Sequence, residues 1–332
     1  MKLQKLTPKH SIIIIAMLLS FIGCEKDDEK IVEPTMPSAE VFSLGSNAVT
    51  IKSDLIESKS PILSAGLCWG TNPNPTIANA NIFAFLSDSA MYCRVEDLSP
   101  NTKYYGKLYA VNTDGIWYGE EFSFITTNTV KDIENHVYNT VKIGEQIWMV
   151  ENLRTTRFND GTDIPCISSP WSELETPGYC NYDFFIPNTN VYGALYNWPT
   201  VNSNKLCPAG WHIPSDSEWK TLVQSIGGRD VAGSLIKSTV SAYWAESNLF
   251  ATNLSGFSAI PGGASNGGTI GTFLGLGYNG FWWTSTVDYS YDLNFGYNIF
   301  WAVSHGSSSV IRNGFINKAG ALNFLSVRCI KD

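Results

Sequence analysis

Positive charge and histidine are scarce in this chain. Its 332 residues include 22 lysines and arginines against 30 aspartates and glutamates, which gives a formal net charge of −8. A protein that binds nucleic acid needs a basic surface, so this class of function is disfavoured. Only four histidines are present, and neither the zinc-protease motif H-E-x-x-H nor the phosphate-binding motif G-x-x-x-x-G-K occurs. The sequence therefore favours a protein that is not an enzyme and needs no organic cofactor.

Long apolar runs are lacking as well. The candidate run, residues 11–22, spans twelve residues, which is too few for a helix to cross a bilayer. It follows Lys2, Lys5 and Lys9, and a basic leader before a short apolar segment is typical of a signal peptide. Residues 1–23 are therefore predicted to be a cleaved signal peptide.

The end of the apolar run carries a second signal. It reads SFIGC, residues 20–24, and a small residue directly before a cysteine resembles the lipobox of bacterial lipoproteins. This resemblance implies that Cys24 is acylated and anchors the chain to a membrane. The alternative is an ordinary signal peptide with an incidental cysteine.

Residues 24–33 form an acidic tether. Their cluster EKDDEK, residues 25–30, resembles the surface-export signal of Bacteroidetes-type lipoproteins. A plain solvated tether is the alternative. We expect a lipid anchor in the outer membrane and a chain that faces outward.

Residues 34–127 contain short runs that alternate between apolar and polar residues and are parted by turn sequences. This spacing predicts a β-sandwich. The stretch LSPNTKY, residues 98–104, resembles the L-x-P-x-T-x-Y corner of fibronectin type III domains. The resemblance implies that the hydroxyl of Tyr104 bonds back to the chain that enters its strand. We interpret this domain as a stalk.

Residues 128–332 hold nine of the eleven tryptophans and 21 of the 28 glycines. Residues 137–153 predict two short strands with a turn at residues 144–145. Ser215 and Glu218 form a capping-box pattern before a helix that Gly227 and Gly228 end. A shorter helix is expected near residues 191–198. Further strands are predicted at residues 256–260, 280–286, 297–304 and 323–330.

Several motifs in this second part carry a family resemblance. They read IGEQIWM with ENL, YGALYNW, CPAGWHIPSD with EW, GFSAIPGG, FWWTS and SVRC, within residues 143–329. Together they resemble the FISUMP domain, the major paralogous domain of Fibrobacter succinogenes. The resemblance implies an α+β, C-type-lectin-like fold, shared with formylglycine-generating enzymes, on bacterial surface proteins. The resemblance implies no catalytic residue in this chain. The predicted fold class is thus a β-rich two-domain protein, with a fibronectin type III-like sandwich before the FISUMP domain.

The cysteines suggest a set of disulfides. Seven are present, and six remain once the lipidated one is set aside, an even number in an exported protein. Six cysteines allow fifteen connectivities. Chain order and the domain division suggest the pairs Cys68–Cys93, Cys166–Cys180 and Cys207–Cys329. For Cys68, a buried free thiol is the alternative.

Aromatic residues are the candidate ligand-binding groups. Flat rings stack on the apolar C–H face of sugars, whereas a scaffold role in the core is the alternative for rings on paired strands. An isolated tryptophan in the loop-rich segment is the better candidate for an exposed ring. The candidates are Trp171, Trp282, Trp283, Tyr291 and Trp301.

Acidic residues offer two further hypotheses. Calcium could be held by Asp288, Asp292 or Glu246 with loop carbonyls. A polysaccharide-acting enzyme would need two converging carboxylates, and the plausible suppliers are Asp160, Asp163, Asp183, Glu246 and Asp288. We favour a surface lipoprotein whose lectin-like head binds a glycan or a partner protein without catalysis. A structural cell-surface subunit is a third interpretation.

Overall fold

The computed structural model describes residues 32–87, 89–168, 175–266, 272–290, 296–316 and 323–332. Within these ranges no helix is both long and apolar enough to cross a bilayer. The predicted signal peptide, Cys24, Trp171, Tyr291 and Asp292 lie outside the described residues.

The first part of the chain is built from strands. Their bounds are β1 Glu40–Gly45, β2 Val49–Ser53, β3 Ser64–Gly70, β4 Ala80–Phe83, β5 Phe85–Leu86, β6 Met91–Val95, β7 Lys103–Asn112, β8 Gly115–Tyr118 and β9 Phe122–Ile125. Strands β1, β2, β6 and β5 lie in one sheet, and β4, β3, β7, β8 and β9 form the other. All these pairings are antiparallel, and the inward residues of both sheets share one core.

The expected tyrosine corner is present between the two sheets. The backbone N–H of Ser99 donates to the hydroxyl of Tyr104 at 3.0 Å. Tyr104 is buried and stacks on Phe124 of β9, with 5.7 Å between the ring centroids. Because a buried hydroxyl needs a partner, this bond fixes how the chain enters β7. The resemblance to a fibronectin type III domain is therefore supported at the residue that carries it.

The described residues of the second part add fourteen strands. Their bounds are β10 Val130–Lys131, β11 Val137–Tyr138, β12 Thr140–Ile143, β13 Gln146–Met149, β14 Tyr179–Cys180, β15 Leu195–Asn197, β16 Trp211–His212, β17 Gly262–Asn266, β18 Thr272–Leu276, β19 Asn279–Asp288, β20 Tyr297–Ser304, β21 Val310–Ile316, β22 Asn323–Leu325 and β23 Ile330–Lys331. Strand β20 coincides with its predicted range, and β12 and β13 form the predicted hairpin.

Helices are few and short. Their bounds are α1 Ile186–Tyr192, α2 Trp198–Val201, α3 Asp216–Ser225 and α4 Arg229–Ile236, with 3-10 turns at Tyr182–Phe184 and Ser241–Tyr243. The capping box that starts α3 has both of its bonds, from Glu218 N–H to the Ser215 hydroxyl and from Ser215 N–H to the Glu218 carboxylate. The helix expected near residues 191–198 is wrong in placement. Gly193 has a φ of 85°, which ends α1, and β15 separates it from α2.

One sheet joins the two parts of the chain. Strand β1 pairs antiparallel with β12, with Ser43 opposite Ile143 and Gly45 opposite Val141. The backbone N–H of Thr127 also donates to the carbonyl of Gly45 at 3.0 Å. The resulting eight-stranded sheet runs in the order β16-β23-β13-β12-β1-β2-β6-β5. Residues Glu33–Asp332 accordingly form one unit, and the sheet continues across the expected domain boundary.

The other sheet of the second part carries two cores, one on each face. It runs in the order β14-β15-β22-β17-β19-β20-β21, and β18 pairs with β17. Trp283 and Phe300 pack into one core, and Trp282 and Trp301 pack into the other. The middle parts of β19 and β20 are therefore covered on both faces, which explains why apolar residues stand side by side there, FWW in β19 and IFWAV in β20.

A buried lysine holds two loops of this part together. Lys237 follows α4 and is fully buried. Its ammonium, with three N–H groups, lies within hydrogen-bond distance of four backbone carbonyls, those of Leu249 at 2.7 Å, Ser304 at 3.1 Å, His305 at 3.1 Å and Ser307 at 2.9 Å. Burial lowers the pKa of Lys237 to about 8. The ammonium thus links the loop at Leu249 to the loop at residues 304–307.

Cys207 and Cys329 form a disulfide, with their Cα atoms 6.0 Å apart. The expected pair Cys166–Cys180 is not bonded. Cys166 lies opposite Tyr179 in a parallel pairing. Because neighbouring residues on a strand point to opposite faces, Cys180 points away from Cys166.

The expected pair Cys68–Cys93 is also unbonded, and both thiols are buried. Leu67 and Cys93 pack in the same core, between the two sheets of the sandwich. Since Cys68 is the neighbour of Leu67 on β3, it points to the outer face of its sheet. The alternative of a buried free thiol therefore describes Cys68. Burial raises the pKa of Cys68 to about 11 and that of Cys93 to about 12.

Replacing Cys207 and Cys329 together with serine should destabilise the protein strongly. The disulfide closes a loop with a sequence separation of 122 residues. Loop entropy predicts a loss of about 4–5 kcal/mol in the free energy of unfolding. Urea unfolding of the full chain measures it. Cys166→Ser, at an exposed and unbonded site, serves as the control and should change stability by less than about 0.5 kcal/mol. A double variant as stable as the wild type would contradict the prediction.

Candidate functional site

The predicted sugar-stacking tryptophans are buried. Trp282, Trp283 and Trp301 expose 1%, 0% and 3% of their surface. Each indole N–H has an internal acceptor, which is Asn152 for Trp282 at 2.8 Å and the carbonyl of Tyr196 for Trp283 at 2.8 Å. A ring without an exposed face cannot stack on a sugar, so the binding role predicted for these three residues is wrong.

Trp282 belongs to a hydrogen-bonded hub at the centre of the second part. The Asn152 side-chain oxygen accepts from Trp282 and from the guanidinium of Arg328, at 3.2 Å and 3.1 Å. Arg328 is fully buried, donates to the carbonyl of Phe257, and lies over the Phe257 ring at 4.2 Å. Burial lowers the pKa of Arg328 to about 9, so the group stays charged at neutral pH. This hub explains the ENL, GFS, FWW and SVRC motifs as a scaffold.

A surface depression lies on the face of β20 and β21. Tyr297, Ile299, Arg312, Asn313 and Gly314 line it, and its volume is about 240 Å³. Strand register places Ile299 opposite Gly314, and Ile299 is buried beneath the depression. The volume is below the roughly 300 Å³ of common ligand pockets, which suits a single ring better than a long chain.

Residue 314 packs closely against the neighbouring strand. A Cβ atom there would lie 3.0 Å from Cδ1 of Ile299 and 3.1 Å from Cβ of Tyr297. A larger side chain would therefore press on Ile299 and Tyr297 and change the shape of the depression.

Arg312 supplies the polar edge and is held on two sides. Its Nε donates to Asp216 at 2.8 Å and its Nη2 donates to Asp288 at 2.8 Å. Burial opposes ionisation of Asp216, but hydrogen bonds from Arg312 and Lys220 outweigh it and lower the pKa of Asp216. Hydrogen bonds from Ser290 and Arg312 lower the pKa of Asp288 well below its usual range. The guanidinium is therefore charged and fixed in orientation.

Asp288, which the sequence suggested as a calcium ligand or a catalytic carboxylate, lies beside the depression in an ion pair with Arg312. Arg312, Asn313 and Gly314 were missed. The signal that could have found them is the alternation in β21, since Arg312 and Gly314 share one face with Ile299 of the neighbouring strand.

The other acidic candidates lie at separate positions. Asp160 pairs with Lys205 at 2.8 Å and Asp163 pairs with Arg157 at 2.9 Å. Asp183 lies in a 3-10 turn with a φ of 53°, and Glu246 is exposed in a loop. Within the described ranges no three histidine, cysteine, aspartate or glutamate side chains form a group that could hold a metal ion.

The G-x-S-x-G motif of serine hydrolases occurs at residues 263–267. Its serine, Ser265, is 1% exposed inside β17, and its hydroxyl donates to the carbonyl of Thr272. A nucleophile elbow needs an exposed serine between a strand and a helix, so this string is not one.

A second cavity lies where the sandwich meets the second part. It is about 150 Å³ in volume, and its twelve lining residues include Arg94, Glu96, Asp97, Asn139 and Glu151. Arg94 is paired with Glu96 at 3.0 Å, and both carboxylate oxygens of Glu151 accept from Asn139. No aromatic ring lines it. Arg94 and Glu96 belong to the sandwich, and Asn139 and Glu151 belong to the second part, so each pair is made within one side of the cavity.

His212 forms a polar clamp at the start of α3. Its Nδ1 lies 2.7 Å from Asp332 and its Nε2 lies 2.9 Å from Glu218. Burial opposes protonation, but the hydrogen bonds with the two carboxylates outweigh it and raise the pKa of His212. The imidazolium thus ties the capping box to the last strand, while its side chain stays 43% exposed.

The clamp should make stability depend on pH. Because the folded pKa exceeds the unfolded value of about 6.5, the stabilisation is complete below about pH 6.5 and is lost as pH rises through the folded pKa. Solvent screening limits it to about 1 kcal/mol or less. We expect His212→Gln to flatten the decline of unfolding free energy between pH 6 and pH 8. His305→Gln is the control, since that ring faces a backbone carbonyl. An unchanged slope in the His212 variant would refute the role of the clamp.

Comparisons with known proteins give one family match. The model of the Fibrobacter succinogenes major domain matches residues 141–331. No curated protein matches the chain. A fibronectin type-III domain of human fibronectin type III domain containing protein 3 is similar at 20% identity, with a TM-score of 0.23, over 30% of this chain and 93% of that one. The twitchin kinase region from C. elegans is similar at 9% identity, with a TM-score of 0.23, over 58% of this chain and 34% of that one.

Proposed function

The chain belongs to the Fibrobacter succinogenes major domain family, and from that premise we propose that it is a bacterial surface protein that binds a glycan at the β20–β21 depression without catalysis. In this proposal the second part acts as a lectin-like head, and the sandwich presents it. The single observation that carries the proposal is the surface depression, which Tyr297, Gly314 and the fixed guanidinium of Arg312 line.

The chemistry of sugars suits this combination. A sugar ring has an apolar C–H face, which packs against an aromatic wall, and an edge of hydroxyls, which accept and donate hydrogen bonds. Sites for small molecules typically pair apolar walls with a few fixed polar groups. Arg312 has five N–H donors, of which two bond Asp216 and Asp288. The others are available to hydroxyls, and no general acid and base pair is needed for binding alone.

Changing the depression should weaken glycan binding. We expect the full mature chain to be retained on a broad glycan array, and Gly314→Val and Tyr297→Ala to weaken that retention by about 5- to 150-fold, by analogy with the loss of one stacking contact. Melting temperatures show whether each variant stays folded. Tyr118→Ala, at an exposed tyrosine on β8, is the matched control and should bind normally.

Three outcomes would contradict this proposal. Normal retention of both folded variants would remove the depression as the site. A wild-type protein that binds no glycan would favour a partner protein as the ligand. Release of reducing sugar by the wild type would favour the alternative of a polysaccharide-acting enzyme.

We further propose that Cys24 carries the lipid anchor at the outer membrane. The basis is the order of lysine leader, apolar run and Gly23 before the cysteine, together with the acidic tether that follows. After a signal peptidase removes residues 1–23, the acyl chains on Cys24 hold the protein at the membrane. The tether would place the sandwich and the depression outside the cell.

Cys24→Ser should abolish labelling of the protein by a palmitate analogue and release it from membranes. The acyl chains are the proposed anchor, so a hydroxyl in place of the thiol removes it. Metabolic labelling and membrane fractionation measure both effects in the natural host. Cys166→Ser is the control and should keep full labelling. Membrane attachment and labelling that persist in the Cys24 variant would overturn the proposal.

A further inference from the structure

Two Asn-Gly pairs lie wholly within the described residues, and their surroundings differ. Asn279–Gly280 begins β19, which lies between β17 and β20. Asn313–Gly314 lies in β21, at the end of the strand order of its sheet. Asn279 is half-buried and Gly280 is buried, whereas Asn313 is exposed and Gly314 is half-buried. Because a phenylalanine follows both pairs, the same tripeptide occurs once inside a sheet and once at its edge.

The N–H of Gly314 takes no part in the pairing of β21 with β20. The N–H and C=O groups of a residue in an antiparallel strand point to the same side, and that side alternates along the strand. Ile299 lies opposite Gly314, but its carbonyl accepts from the Thr284 hydroxyl of β19 at 2.9 Å and so faces away from β21. The Gly314 N–H therefore points away from β20, and it donates to the side-chain oxygen of Asn313 at 2.8 Å.

The N–H of Gly280 is held in the sheet. Gly280 lies opposite Val303 of β20. Val303 follows Ile299 by four residues in the same strand, so its N–H and C=O groups also point toward β19. Gly280 and Val303 therefore form a hydrogen-bonded pair, which must open before the Gly280 nitrogen can react.

The contact at Gly314 brings together the two atoms that deamidation of asparagine joins. A C=O bond is about 1.23 Å long, so Cγ of Asn313 lies within about 4 Å of the Gly314 nitrogen. When this nitrogen loses its proton to hydroxide and attacks Cγ, a cyclic imide forms and the side-chain nitrogen leaves as ammonia. Glycine favours the step because it has no side chain to hinder the approach.

Water opens the imide at either of its two carbonyl carbons. Cleavage of the bond between the nitrogen and Cγ gives aspartate. Cleavage at the backbone carbonyl gives isoaspartate, whose main chain runs through Cβ and Cγ and is one atom longer. Neither step needs an oxidant or a reductant, and water and hydroxide are the only other reactants.

We propose that Asn313 is a site of spontaneous modification in the folded protein, where asparagine converts to aspartate and isoaspartate. This inference goes beyond the proposed glycan binding and does not rest on it, since the reaction needs neither a ligand nor an enzyme. Each conversion adds one negative charge to the edge of β21, because an aspartate side chain is ionised at neutral pH.

Peptide mapping of the full mature chain tests the proposal, with Asn279 as the matched control in the same molecule. The folded protein is incubated near neutral pH in water enriched in heavy oxygen, which marks each newly formed acid. It is then digested at acidic pH and analysed by mass spectrometry. We expect Asn313 to react at least about tenfold faster than Asn279, because the Gly280 pairing must first open. In urea, where neither strand is formed, the two positions should react at similar rates.

Two results would overturn the proposal. One is the absence of heavy oxygen at Asn313 in the folded protein when the same peptide takes it up in urea. The other is an equal rate at Asn313 and Asn279 in the folded protein, since the edge position would then have no effect. Asn313→Gln should remove the signal at position 313 and leave the rate at Asn279 unchanged, which checks the assignment of the modified peptide.

Discussion

The buried hub around Asn152 is the interaction on which the second part depends. Its side-chain oxygen accepts from Trp282 and Arg328, and its amide donates to the carbonyl of Tyr192 and to the Ser326 hydroxyl. These partners come from β19, the segment between β22 and β23, and the end of α1. Loss of this one side chain would leave a buried guanidinium and a buried indole N–H short of an acceptor, which costs more than a surface bond. The hub therefore determines that β19, the segment between β22 and β23, and the end of α1 pack together.

The order of the strands connects the hub to the depression. Trp282 positions β19, which pairs with β20, which pairs with β21. Helices α3 and α4 both pack on the face of β20 and β21 that carries Trp301 and Val310. Asp216, the first residue of α3, covers the Trp301 end through hydrogen bonds with Trp301 and Arg312. The depression lies on the same face, toward Tyr297.

Local signals in the sequence predicted local structure well. Ser215 and Glu218 complete a capping box within four residues, and the corner at Tyr104 needs only its own loop. Burial could not be predicted in the same way. Alternation suggests that one of two adjacent tryptophans faces solvent, but Trp282 and Trp283 enter separate cores on the two faces of the sheet. The depression needs contacts such as Arg312 with Asp216, 96 residues apart, for which the sequence holds no short-range pattern.

The sheet that β1 and β12 share also determines the path of a pulling force through the chain. A chain tethered before β1 and pulled through a ligand on its second part is loaded at both ends of the segment from β1 to β12. The three paired positions between these strands close that segment into a loop. Force therefore crosses directly from β1 to β12, and β2 to β9 carry none of it while the pairing holds. Once the β1–β12 pairing breaks, the force also passes through the sandwich. The pairing is therefore expected to break before the sandwich itself bears the force.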